Sequence, residues 1–246
     1  MPKLKTVLWC ALIALNLITV QTASAEAIVP FHKNPEDSRF SYYATDENSK
    51  LRVRVAEQYH WEPGLEAERR NQFIDAYNHW DFILRWSPNH IPALRKMINL
   101  VILNKRPDLV LPYLEEAVAF CPTCTDAIVV YGIYYQRIGK MDKAIEKYKL
   151  ALEVYPYSID AHYNIALALI EKGQLNEANE HAQLAYEYGH RLPGLRNKLQ
   201  KAGAWKPKPP TPPEAETKAA PDAAKEAATP SPSGAPAGTV TTPPSQ

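Results

Sequence analysis

Apolar side chains in the middle of the chain recur at three- and four-residue steps, with polar residues between them. From Thr125 to Ser158, Ile128, Tyr131 and Tyr135 mark one stripe, while Ala144, Tyr148 and Ala151 mark another. This spacing predicts two amphipathic helices, each with one apolar face. The same pattern returns every 34 residues: Pro88, Pro122 and Pro156 keep that interval, as do Asp108, Asp142 and Asn176, then Ala117, Ala151 and Ala185, and finally Gly139 and Gly173. The two glycines suit the left-handed conformation that ends a helix, and the Asp or Asn three residues later can accept from the free amides of the next helix. Gly132 and Ala144 are small where antiparallel helices must approach closely. An internal repeat of helical hairpins follows.

The residues Ile128-x2-Tyr131-Gly132-x2-Tyr135, then Ala144-x3-Tyr148, Ala151 and Pro156, resemble the tetratricopeptide repeat (TPR) pattern. His162-x2-Ile165-Ala166-x2-Leu169, Ala178-x3-Ala182 and Ala185 form a following unit, with His190 in place of the proline. Leu94-x2-Met97-Ile98-x2-Val101, Val110-x3-Leu114, Ala117 and Pro122 form a preceding unit, whose departures at Ile98 and Val110 suggest more widely spaced helices. Upstream, Ala76-x3-Trp80, Ile83 and Pro88 supply a second helix, but Pro63-Gly64 is expected to interrupt the first. The organisation read from this is a TPR domain over residues 57–205, with units 57–90 (degenerate, an N-terminal cap), 91–124, 125–158 and 159–192, closed by a capping helix over 193–205 carrying Leu195, Leu199 and Trp205. The resemblance implies an all-α fold, a right-handed superhelix of antiparallel helix pairs. It also implies a concave groove, lined by the first helices, that holds a peptide or partner protein.

Because each apolar stripe faces the neighbouring helix, the other exposed face of each first helix is expected to line that groove. Those positions are Arg95, Asn99 and Ile102; Val129, Ile133, Gln136 and Arg137; and Tyr163, Leu167 and Ile170. The lining is largely apolar and suits an amphipathic or extended segment. Some of these side chains could instead pack against residues 26–56 or a second copy of the chain. TPR domains that grip a C-terminal carboxylate need cations and amides at set positions. Arg95 and Asn99 meet the first requirement, but Val130, and Asp160 with Asn164, fail the rest.

Residues 1–25 begin with Lys3 and Lys5, continue with the apolar run Val7 to Val20 and close with Ala23-Ser24-Ala25. This reads as an export signal cleaved after Ala25, too short to span a bilayer, and it places the protein in the periplasm. Residues 26–56 form an N-terminal extension of no clear pattern. Residues 206–246 hold 11 of the 22 prolines and no aromatic residue, so they read as a disordered Pro/Ala-rich tail, either a tether or proline-rich ligand or a solubilising spacer. The chain carries 28 Lys+Arg against 27 Asp+Glu. Loss of Lys3 and Lys5 with the signal leaves a nearly neutral protein, which argues against a nucleic-acid partner despite its 14 tyrosines and 5 tryptophans.

Cys121 and Cys124, in a turn between units, admit three readings: a local disulfide, ordinary turn thiols or a redox pair. Thr125 follows where a haem attachment signal needs histidine. The histidines at 32, 60, 79, 90, 162, 181 and 190 lack the helical pairing of metal ligands, and no phosphate loop, nucleophile elbow or acid/base pair is visible. No catalytic residue, metal or cofactor is expected. The sequence therefore reads as a non-enzymatic envelope scaffold or adaptor with a protein or peptide partner. The alternatives are a thiol-redox or metallochaperone accessory using Cys121 and Cys124, and a self-associating structural protein.

Overall fold

The computed structural model describes residue 28 and residues 31–207. The export signal read in residues 1–25 and the tail from residue 208 lie outside the described residues. Among those described there are nine α-helices and no strand: α1 (Glu47–Arg69), α2 (Phe73–Trp86), α3 (Ile91–Leu103), α4 (Leu111–Phe120), α5 (Thr125–Arg137), α6 (Met141–Val154), α7 (Ile159–Glu171), α8 (Leu175–Glu187) and α9 (Gly194–Lys201). Short turns join α1 to α8 into successive antiparallel pairs with a 34-residue period, an all-α array of helical hairpins like that implied by the repeat pattern. No helix of the described residues is long and apolar enough to cross a membrane. The chain divides into two compact units, residues 1–130 and 131–246, and the division falls inside α5.

The turn that closes each hairpin is the same in all four pairs. Asn71, Lys105, Gly139 and Gly173 stand 34 residues apart and all have positive φ, at 56°, 58°, 75° and 75°. In each turn the next amide reaches back five residues: Gln72 to Ala67, Arg106 to Val101, Lys140 to Tyr135 and Gln174 to Leu169, at 2.7–2.9 Å. These bonds satisfy carbonyls that the helix end leaves free. The sequence reading found the two glycines but not the Asn and Lys doing the same work.

In the first unit α1 runs unbroken through Pro63, where an interruption was expected. The proline removes one helical bond, to the carbonyl of Tyr59, a residue 65% exposed, so water can replace the lost donor. Gly64 is buried because a Cβ there would lie 2.8 Å from the Trp80 ring. It stands two periods before Gly132, whose Cβ would lie 2.3 Å from the Tyr148 ring. The same small-against-large contact thus joins both hairpins. The helix also begins at Glu47, where the side chain of Asp46 accepts from the Ser49 amide at 2.8 Å. Ten residues assigned to the N-terminal extension therefore belong to α1.

The core of this unit comprises Tyr77, Trp80, Ile83 and Leu84 of α2, Leu94, Met97, Ile98 and Val101 of α3, and Tyr113 and Leu114 of α4. Val110, where wider helix spacing was expected, is fully buried. It ends a 3-10 turn at Pro107–Val110 that precedes α4. Residues 31–46 form a strap bound to this core. The Phe40 amide donates to the Trp86 carbonyl at 3.0 Å, and Asn89 accepts from the Tyr42 amide at 2.9 Å while donating to Ser41 Oγ at 2.9 Å. Phe31 packs edge-on against Tyr113, with ring centres 4.6 Å apart. Arg39 and Lys33 pair with the buried carboxylate of Glu116, and the Arg39 guanidinium lies 5.2 Å from the Phe120 ring centre. Breaking such a buried pair typically costs a few kcal/mol, because it leaves a charge without its partner.

The second unit closes around Tyr148 of α6 and Ile165 and Leu169 of α7, with Ala178, Ala182 and Ala185 of α8 behind them. Tyr148 donates to Gln136 Oε1 at 2.9 Å, and Gln136 donates to Glu171 Oε1 at 3.2 Å, tying α5, α6 and α7 together. Leu195 and Leu199 of α9 are fully buried, and α9 packs on α7 and α8. Beyond it the chain is still held at Lys206, whose amide donates to Asn179 Oδ1 at 3.0 Å and whose carbonyl accepts from Gln183 at 2.6 Å.

Candidate partner-binding surfaces

Since Val129 and Tyr163, Ile133 and Leu167, and Gln136 and Ile170 are 34-residue equivalents, they mark one side of successive first helices. Their exposure differs. Val129 is only 1% exposed and offers nothing to a partner. The strap reaches this end of α5, where the Tyr43 hydroxyl donates to Asp126 Oδ2 at 2.6 Å, one turn before Val129. The expected groove position is therefore a core position. In the second unit Ile133, Gln136, Tyr163, Leu167 and Ile170 are half-buried and Arg137 is exposed. Tyr163 leans on His190, with ring centres 4.4 Å apart, and Gln136 is spent on Tyr148 and Glu171. The apolar side chains that keep partial exposure at these positions are Ile133, Tyr163, Leu167 and Ile170. In the first unit Arg95 and Asn99 are exposed and Ile102 is half-buried on α3. Asn99 also lines a cleft of about 550 Å³ with Glu68, Phe73 and Leu103.

A larger hollow was not anticipated. Phe40, Leu51, Val55, Ala56, Tyr59, Phe82 and Trp86 line a space of about 740 Å³ between α1 and α2, with Ser38, Arg52 and His60 at its edge. Leu51, Val55 and Tyr59 follow one another at single-turn intervals and are 53%, 43% and 65% exposed. The sequence signal for it was this i, i+4, i+8 series. It was hidden because residues 47–56 were not read as helix.

Cys121 and Cys124 form a disulfide in the turn before α5. Asn89 donates to Cys124 Sγ at 3.5 Å, so the turn also contacts the residue that holds the strap.

Two histidine pairs escaped the sequence reading. His60 Nδ1 lies 3.1 Å from His79 Nδ1, and His162 Nδ1 lies 2.9 Å from His181 Nδ1. Each pair joins the first and second helices of a hairpin, and the second pair repeats the first three periods later. The Pro156 carbonyl, 3.0 Å from His162 Nε2, can only accept, so that nitrogen carries the proton. His162 Nδ1 is then the acceptor and His181 Nδ1 the donor. Burial holds all four imidazoles below their usual pKa, and their mutual repulsion adds to this at His60 and His181. His181 falls to about 4, with Glu177 opposing the shift and Lys149 adding to it. Among the described residues no group of three or more His, Cys, Asp or Glu gathers that could hold a metal ion.

No family model and no curated protein matches the chain. Among solved structures, one described as MamA is 20% identical, covering 66% of this chain and 99% of its own, with a TM-score of 0.41. MamA from Desulfovibrio magneticus RS-1 is 22% identical, covering 56% of this chain and 84% of its own, with a TM-score of 0.41. The pilF protein of Pseudomonas aeruginosa is 15% identical, covering 61% of this chain and 68% of its own, with a TM-score of 0.48.

Proposed function

We propose that the chain is a non-enzymatic scaffold of the cell envelope that holds a protein segment against α5 and α7. The observation that carries this reading is the partial exposure of the apolar side chains Ile133, Tyr163, Leu167 and Ile170 on the first helices α5 and α7, with Arg137 exposed at the end of α5. Side chains at equivalent positions of stacked hairpins repeat along the stack, so an amphipathic helix or extended segment meets several at once. Export and periplasmic residence rest on the signal read in residues 1–25, and the near-zero charge fits a protein partner better than a polyanion.

Co-purification from native envelope extract tests the proposal. The intact protein is compared with Ile133→Glu/Leu167→Glu, two half-exposed sites where a carboxylate can reach water. A specific protein recovered with the intact chain and lost with the folded double variant supports the assignment. Equal recovery with both removes it.

A further inference from the structure

The hollow between α1 and α2 lies on the first unit and shares no lining residue with the positions assigned to a partner. Its walls are two helices and the strap, with no sheet edge, so strand addition is not available to a ligand there. Its floor is aromatic: Phe40, Tyr59, Phe82 and Trp86, with the Phe82 and Trp86 ring centres 6.3 Å apart. Its polar side chains are mostly donors: Arg52, Tyr59 and Trp86 carry N–H and O–H groups, Ser38 and His60 at the edge can donate or accept, and no carboxylate or carboxamide side chain is among the lining residues. Arg52 donates to the Ser38 carbonyl at 3.4 Å, a long hydrogen bond.

A ligand matched to such a wall has apolar rings, many acceptors, few donors and a negative charge. Proline-rich sequence meets the first three conditions, since each proline contributes a ring and a carbonyl but no N–H. It is also extended before binding, with no internal hydrogen bonds to break, and it characteristically docks on aromatic-lined grooves. The chain contains such a segment. Residues 209–216 read Pro-Pro-Thr-Pro-Pro-Glu-Ala-Glu, four prolines followed by two carboxylates. They begin two residues beyond Pro207, the last described residue.

We propose that the α1–α2 hollow binds the segment Pro209–Glu216 of a second copy of the chain. The prolines lie against Phe40, Tyr59, Phe82 and Trp86, and Glu214 or Glu216 pairs with Arg52. Hollow and segment are different surfaces, so each copy keeps one of each free for a further copy, and the contact is heterologous.

The test uses a fluorescently labelled peptide of residues 209–216, titrated into the full-length protein and followed by anisotropy. Saturable binding is expected. It should weaken at least about tenfold with Tyr59→Ala, whose ring is largely exposed and whose loss leaves the core intact, and with Arg52→Glu. A peptide with Lys in place of Glu214 and Glu216 should recover binding to Arg52→Glu. Sedimentation equilibrium of the full chain should show concentration-dependent association, lost when the four prolines are replaced by Gly and Ser and kept in Ile133→Glu/Leu167→Glu. The proposal is overturned by any of three results: no saturable binding up to about 1 mM peptide, where the binding free energy is only about −4 kcal/mol; equal binding of a proline-free peptide; or a full chain that stays monomeric at every concentration.

Discussion

Acidification should loosen the hairpins that carry the histidine pairs, and His181 sets the scale. It faces His162 from α7, Glu177 and Lys149, with the Tyr188 ring 5.6 Å from His162. Its folded pKa is about 4 against an ordinary value of 6.5, lowered chiefly by burial. A histidine depressed in the fold binds its proton more readily when unfolded. Stability is therefore full above about pH 6.5 and falls with pH through the window down to about 4. A shift of this size corresponds to about 3 kcal/mol at most. His181 is only partly buried, so solvent screening reduces the expectation to about 1–2 kcal/mol. His60, His79 and His162 shift in the same direction and add to the slope. Urea unfolding followed by circular dichroism between pH 7.5 and 4.5 measures it. His181→Phe, which keeps a ring in the core but cannot titrate, should flatten part of the dependence. An unchanged slope in His181→Phe, or a protein that gains stability on acidification, would refute the reasoning.

Gly132→Ala places a methyl 2.3 Å from the fully buried Tyr148 ring, so overpacking should outweigh the gain in helix propensity and lower stability by about 1–3 kcal/mol in chemical denaturation. Adding Tyr148→Leu should recover part of that loss. Lys105→Gly relieves a left-handed lysine at φ 58° and should raise stability by about 0.5–1 kcal/mol once glycine's greater unfolded-state freedom is subtracted, seen as a higher urea midpoint. Cys121→Ser/Cys124→Ser opens a loop with a sequence separation of only 3, so the loss in denaturation should stay near 2 kcal/mol or less. Arg39→Ala leaves the buried Glu116 carboxylate with Lys33 alone; stability should fall by about 3 kcal/mol, and the strap amides of Phe40 and Tyr42 should lose hydrogen-exchange protection.

The hairpins were legible because their period is written in residue types with narrow roles. Gly139, Gly173 and Gly132 announce a left-handed turn and a close helix contact. The same roles at Asn71 and Lys105 were hidden, since neither residue type demands a positive φ. Gly64 was readable as the partner of Gly132 two periods on, yet Pro63 beside it suggested a break. A proline in a solvated stretch of helix loses one bond without ending the helix. Of the positions expected to line a groove on α5 and α7, Ile133, Gln136, Tyr163, Leu167 and Ile170 keep partial exposure, whereas Val129 is buried. Val129 was misplaced because helical periodicity alone does not report burial: the residue is 1% exposed. The histidine pairs depend on contacts between helices and leave no local motif, whereas the α1–α2 hollow left only the Leu51, Val55, Tyr59 series in a stretch not read as helix.

The central claim is that α5 and α7 hold a protein partner in the envelope. Photo-crosslinking in living cells, with a benzophenone side chain at single positions, tests it most directly. Adducts of one size should form from Ile133, Leu167 and Ile170, and none from the exposed Glu146 of α6. Adducts appearing equally from Glu146, or from none of the four positions, would contradict the account.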